Sequence, residues 1–221
     1  MAPFPESLLR KIARVAFLAA VVCVGPRGAD AAGEKERRLA AELLVMAGDF
    51  ERLTSPDTSP LHRRGLTARL AGAMAPLILL IRSAREENPS LAEAPRREIA
   101  SLRAVFVKGD TDTMKPILRR LLSLYPFRPV GILPPGGDQA AFSTAQGIHE
   151  NYCTACHEDG DSDVERPAVD LFDMAHKVDV TELAARLVIG VRGDALTTLD
   201  NPLCDREISA LIGFYRNGMK E

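Results

Sequence analysis

The sequence predicts an all-α protein in two parts: a small N-terminal helical bundle, joined by a Pro/Gly linker to a second helical domain at the C-terminus. Three observations carry this reading. Apolar residues recur at helical spacing along both halves. A stretch dense in proline and glycine separates them, and the charge changes sign across it. Residues 32–125 hold 16 Lys/Arg against 12 Asp/Glu, a net of +4, whereas 126–221 hold 8 against 16, a net of −8. The 221 residues include four cysteines.

Residues 1–31 read as a secretory signal peptide. Arg10, Lys11 and Arg14 precede an apolar run over 15–24, and Ala29-Asp30-Ala31 offers a small-x-small cleavage site. The run is short for a transmembrane helix. Cys23 lies inside it, with Val22 where a lipoprotein signal wants a small residue, so it is expected to leave with the signal. The remaining chain, about 190 residues, is expected to be exported, with no membrane span after signal removal. Cys204 is then expected to be a lone thiol, with no internal disulfide.

Residues 32–125 form the predicted helical domain, of unassigned role. A first helix over 34–53 carries Leu39, Leu43, Leu44 and Met46 on one face. A second over 61–87 runs through Leu66, Leu70, Met74, Leu77, Ile78 and Ile81, with Pro76 expected to kink or break it. Two more are predicted over 95–108 and 111–124, the last capped by Asp110 or Thr111. Four short helices with apolar stripes suggest a bundle. His62 heads a His-Arg-Arg stretch with no second ligand nearby, which argues against a metal site there. Residues 126–137, PFRPVGILPPGG, are the predicted linker, since proline removes hydrogen-bond donors and glycine removes order.

The chemistry is concentrated at Cys153-Thr154-Ala155-Cys156-His157. This is the C-x-x-C-H attachment pattern of a c-type haem. Two thiols one helical turn apart reach the two vinyl groups of one haem edge, and the adjacent histidine takes the proximal position on iron. A zinc ribbon would need a second ligand pair, and downstream only Cys204 remains. A thioredoxin-like dithiol would need a βαβ setting, of which there is no sign. Asp159, Asp161 and Asp163 begin like a calcium loop with Asp170 at the twelfth position. Val164 stands where the loop needs glycine, so a solvated acidic loop is the better reading. The acidic balance and the lack of a patterned basic patch argue against nucleic-acid binding.

Around that motif, residues 138–221 resemble a class I cytochrome c domain. Asp138 can cap a helix through Phe142, Ala145, Ile148 and His149 into the motif. In the family this helix crosses the terminal one through a small residue and an aromatic, places held here by Ala145 and His149. Pro167 resembles the proline whose carbonyl orients the proximal histidine. Asp179 and Glu182 make a capping box for a middle helix carrying Leu183, Leu187 and Val188, ended by Gly190. Leu203-Cys204-Asp205-Arg206-Glu207-Ile208 resembles the Leu-Ser-Asp-Glu-Glu-Ile lead-in to the last helix, with Cys204 as N-cap. Ile208, Leu211, Ile212 and Tyr215 form that helix's apolar stripe, and Asn217-Gly218 closes it.

The resemblance implies one covalent haem c, held by Cys153, Cys156 and His157. It also implies a distal methionine from the loop before the last helix, but residues 190–202 contain none, and Met219 follows that helix. His176 and Met174 are the downstream candidates for the distal iron ligand. The function expected is that of a periplasmic monohaem c-type cytochrome, not an enzyme. It would carry single electrons between a periplasmic redox enzyme and another cytochrome or a terminal oxidase. The alternative is a haem-based sensor or small-ligand-binding protein with an open or weakly ligated distal position. A third reading is a haem subunit docking on a dehydrogenase through its helical half.

Overall fold

The computed structural model describes residues 33–93, 96–158, 168–190 and 201–218. The predicted signal, Pro167, the acidic run 159–165, most of the loop before the last helix and Met219 lie outside the described residues. Among those described, ten helices and no strand occur. They are α1 (Glu34–Thr54), α2 (Pro60–Met74), α3 (Leu77–Glu87), α4 (Arg96–Val107), α5 (Thr111–Leu124), α6 (Gln139–Tyr152), α7 (Thr154–His157), α8 (Leu171–Lys177), α9 (Val180–Ile189) and α10 (Asp205–Asn217).

The caps follow local chemistry. Asp110 accepts from the Thr113 backbone N–H at 3.0 Å and Asp138 from that of Ala141 at 2.7 Å, satisfying donors left open at the starts of α5 and α6. The helix expected over 61–87 is two helices, α2 and α3, bent by 46° where Pro76 interrupts it. Among the described residues no single helix is long and apolar enough to cross a membrane. The inner face of the α2–α3 pair (Leu70, Ala73, Leu77, Ile81 and Ala84) is buried in the bundle.

Helix α1 belongs to two cores. Leu39, Leu43, Met46 and Phe50 pack into a first core with α2 to α5, closed by Tyr125. Ala41 and Val45 pack into a second with α6, α8, α9 and α10. The Pro/Gly segment 126–137 joins this second core, since Ile132 is fully buried and Phe127 and Leu133 pack against it. Its end lies against α10. The Gly136 N–H donates to the Ser209 hydroxyl at 2.8 Å, and a Cβ on Gly213 would collide with the Gly136 carbonyl oxygen.

An ionic cluster ties α1 to α9. Arg186 bonds Asp49 at 2.6 Å and Glu182 at 2.6 Å, Arg52 bonds Glu182 at 2.5 Å, and Arg69 from α2 also pairs with Asp49. Burial works to raise the Asp49 carboxyl, but Arg186 and Arg69 outweigh it and hold it at about 2, below its ordinary 3.8. Glu182 therefore does not close the predicted capping box. Asp179 caps α9 alone, accepting from Thr181 at 2.8 Å, while Glu182 faces the arginines. Arg37 and Asp205 add a second bridge between the halves at 2.6 Å.

Candidate functional site

The site is built on the packing of α6 against α10, the most extensive helix contact in the C-terminal half. Ala145 is fully buried there, and its small side chain lets the helix backbones approach. His149 sits one turn later, buried, with its ring edge-on to Phe172 and Tyr215 at centroid distances of 5.5 and 5.4 Å. Phe142 meets Phe214 edge-on at 4.9 Å. These rings form one aromatic cluster under α6, α8 and α10, and His149 fills the aromatic place in it. Phe214, which the apolar stripe read from the sequence omits, faces the same cluster as Tyr215.

Cys153 ends α6 and begins the single turn of α7, so Cys153, Cys156 and His157 all lie on one helical turn. The Cys156 and His157 N–H groups both return to the Cys153 carbonyl, at 3.2 and 3.1 Å. Both motif cysteines are free thiols, Cys153 half-buried and Cys156 exposed. Burial pushes the Cys153 thiol up, opposed by a hydrogen bond with the Tyr215 hydroxyl. Burial likewise pushes the Tyr215 hydroxyl well up, keeping it protonated.

His157 is half-buried, and its Nδ1 lies 2.6 Å from the Val169 carbonyl oxygen. A carbonyl only accepts, so Nδ1 carries the hydrogen and Nε2 keeps its lone pair. That is the tautomer of a metal-ligating histidine, fixed by a backbone carbonyl. The sequence resemblance placed this carbonyl at Pro167; the acceptor in the structure is two residues later. Val169 itself and Tyr152 leave apolar side chains 38% and 68% exposed next to the motif.

The two distal candidates sit on α8. Met174 is half-buried against the second core, and His176 is exposed. His176 Nδ1 bonds the Phe172 carbonyl at 2.8 Å, which leaves its Nε2 free as in His157. Asp170, which begins the calcium-like spacing read backwards from position twelve, is the N-cap of α8 and accepts from Asp173 at 3.0 Å. Cys204 is the N-cap of α10, as its spacing predicts, and its N–H donates to Glu207 at 2.8 Å. It is not a lone thiol, however: its sulfur is disulfide-bonded.

The donor set fits a haem: two free thiols at the attachment spacing, a histidine with a free Nε2, and exposed apolar side chains beside them. Among the described residues, no group of three or more His, Cys, Asp or Glu side chains gathers as zinc would require. A cleft between α1 and α5, lined by Phe50, Lys115 and Arg119, contains none of the motif residues. Compared with protein-family models, with curated proteins and with solved structures, the chain finds no match in any of the three.

Proposed function

We propose that this protein is an exported, periplasmic monohaem c-type cytochrome that passes single electrons between a redox enzyme and another cytochrome. The observation that carries the proposal is the 2.6 Å bond from His157 Nδ1 to the Val169 carbonyl, within a C-x-x-C-H motif whose thiols are both free. Cys153 and Cys156 would hold the haem covalently, and His157 Nε2 would ligate its iron. When bound, the haem supplies a one-electron iron couple whose potential the protein tunes.

The chain's own residues supply position and exclusion of water. Val169 fixes the imidazole plane of His157. The rings of His149, Phe172, Phe214 and Tyr215 give the attachment turn a dry, rigid back wall, and stiff surroundings keep reorganisation small on electron transfer. Of the two distal candidates we favour His176, because its Nδ1 is tied to a carbonyl and its Nε2 keeps its lone pair. The N-terminal bundle holds α9 through the Asp49–Arg186 cluster and so acts as a brace for the haem half.

The test is covalent attachment. Expressed with a cytochrome c maturation system, the denatured protein should exceed its polypeptide mass by one haem and keep haem absorbance on a denaturing gel. Replacing Cys153 and Cys156 together by serine should abolish both signals. A polypeptide mass without haem would end the proposal.

A further inference from the structure

Helices α2 to α5 carry more positive charge than their own contacts use. Residues 60–124 hold 12 Lys/Arg against 6 Asp/Glu, a net of +6. Five of those acids are engaged within the bundle. Glu86 pairs with Arg82, Glu93 with Arg85 and Glu98 with Arg120. Glu87 accepts from the Lys35 and Glu36 backbone N–H groups, and Asp110 caps α5. Arg64, Arg97 and Arg103, by contrast, are exposed and form no ion pair among the described residues.

Aliphatic side chains stand among these cations. Val107 is 77% exposed, Leu79 64% and Ile78 55%. A single exposed aliphatic residue needs no explanation, but these follow a pattern. On α4, the exposed residues Ala100, Ala104 and Val107 recur at i, i+4 and i+7 and so form one outward stripe. Helical spacing puts Arg103 along one edge of it and Arg97 and Lys108 along the other, while Ile99 and Leu102 are buried on the opposite face. Ile78 and Leu79 lie on α3, each one turn before exposed Arg82. Helix α4 packs beside both α2 and α3, so the two apolar strips belong to adjoining helices.

We propose that the outward face of α3 and α4 is a docking surface for an anionic lipid bilayer, on which the protein lies without spanning it. An apolar centre with cationic edges is the layout of a helix seated in a membrane interface. The aliphatic side chains enter the acyl boundary, and the arginine stems lie along them with their guanidinium groups among the phosphates.

Charge selects this occupant. A planar guanidinium matches a phosphate with two parallel hydrogen bonds, and Arg97 and Arg103 have none of their charge neutralised inside the molecule. A second copy would bring these cations against themselves. A protein partner would need a shaped pocket for its anchoring side chains, and the cleft between α1 and α5 is lined by none of Ile78, Leu79 and Val107. A fluid interface needs no such fit. The same field orients the molecule. Residues 126–221, at a net of −8, are repelled by the surface that attracts the bundle, so the turn from Cys153 to His157 lies in the half held away from it.

The experiment is sedimentation of the purified protein with phosphatidylcholine vesicles, with and without phosphatidylglycerol. The protein should sediment with the vesicles that contain phosphatidylglycerol, stay in solution with phosphatidylcholine alone, and be released by salt. Each basic residue near such a surface changes affinity roughly five-fold, so Arg97→Gln with Arg103→Gln should weaken binding on the order of 25-fold. Ile78→Ser with Leu79→Ser alters only exposed side chains and should weaken it as well. Lys177→Gln, an exposed cation on α8, should change nothing. Both double variants keep residues 1–31, so their effect separates this face from the basic and apolar run at the N-terminus. No sedimentation with phosphatidylglycerol, equal sedimentation with phosphatidylcholine alone, or binding that either double variant leaves unchanged each overturns the proposal. A dimer by light scattering that Ile78→Ser with Leu79→Ser converts to monomer would assign the face to a second copy instead and overturn it too. Binding to vesicles does not depend on haem, so this proposal and the cytochrome reading fail independently.

Discussion

His157 and Val169 are joined by a 2.6 Å hydrogen bond from an imidazole nitrogen to a main-chain carbonyl. No substitution at Val169 removes that acceptor, so the orientation of His157 depends on how the backbone before α8 is seated. Asp170 caps α8, and Phe172 anchors it among the rings of His149, Phe214 and Tyr215. The aromatic cluster is therefore part of what aims the His157 imidazole. This is a tertiary effect, separate from the C-x-x-C-H spacing.

If haem is attached as proposed, its distal ligand separates the electron carrier from the sensor. With His176 on the iron, the ferric haem is six-coordinate and low-spin, carbon monoxide binds poorly, and the sulfur-to-iron band of methionine ligation is absent. His176→Ala should then shift the spectrum to high spin and open the iron to carbon monoxide, while Met174→Leu should leave it unchanged. High-spin iron in the wild type, with ready carbon monoxide binding, would favour the sensor. The reverse response of the two variants would assign Met174.

Asp49 should link stability to pH. Its side chain is 2% exposed and its carboxyl is held at about 2 rather than 3.8, so its contribution is complete above pH ~4 and is lost as pH falls towards 2. The shift corresponds to about 2 kcal/mol at ~1.4 kcal/mol per unit. Asp49→Ala leaves Arg52, Arg69 and Arg186 facing Glu182 alone, and a broken buried pair costs about 3–5 kcal/mol. Urea melts at pH 7 and at pH 3 measure both. The variant should be less stable at pH 7 and lose the acid-sensitive step. An equal pH dependence in variant and wild type would mean that other carboxyls govern it.

The helices and their caps were legible because they are local. Asp110, Asp138 and Asp179 each cap the helix that their position in the sequence announces, and the break at Pro76 follows from one missing N–H. That Cys153, Cys156 and His157 share one helical turn was legible for the same reason, since the five positions are consecutive. The contacts between distant elements were not. Nothing near Glu182 in the sequence says that its carboxylate leaves its own helix cap for Arg52 on α1. Nothing in PFRPVGILPPGG says that Ile132 enters the core of the second half. The Val169 carbonyl was misplaced by two residues because a backbone acceptor has no side-chain signature.

Gly213 should be intolerant of any side chain. The Gly136 carbonyl oxygen occupies the space that a Cβ would take, and both partners are backbone, so neither can rotate aside. Gly213→Ala must push the 126–137 segment off α10, straining the Gly136 to Ser209 hydrogen bond. Overpacking of this kind costs about 1–3 kcal/mol. A lowered Tm with faster hydrogen exchange at the Gly136 amide is the expected result. A Tm equal to wild type would show that the segment yields freely.

Salt should slow electron transfer to a basic partner, but by less than the net charge of the C-terminal half suggests. Of its acids, Glu182 and Asp205 are already consumed by Arg52, Arg186 and Arg37 inside the molecule. Glu150 and Glu158, by contrast, are exposed and flank the turn from Cys153 to His157. They can steer a cationic partner from beyond contact, and salt screens such steering over roughly 10 Å at 0.1 M. Stopped-flow rates should therefore fall from low to high ionic strength. Glu150→Lys, at an exposed side chain that accepts from Gln146, should lower the low-salt rate and flatten the dependence. A wild-type rate that ignores salt would mean that the partner meets the haem edge through apolar contact, with Tyr152 and Val169 the exposed side chains placed to make it.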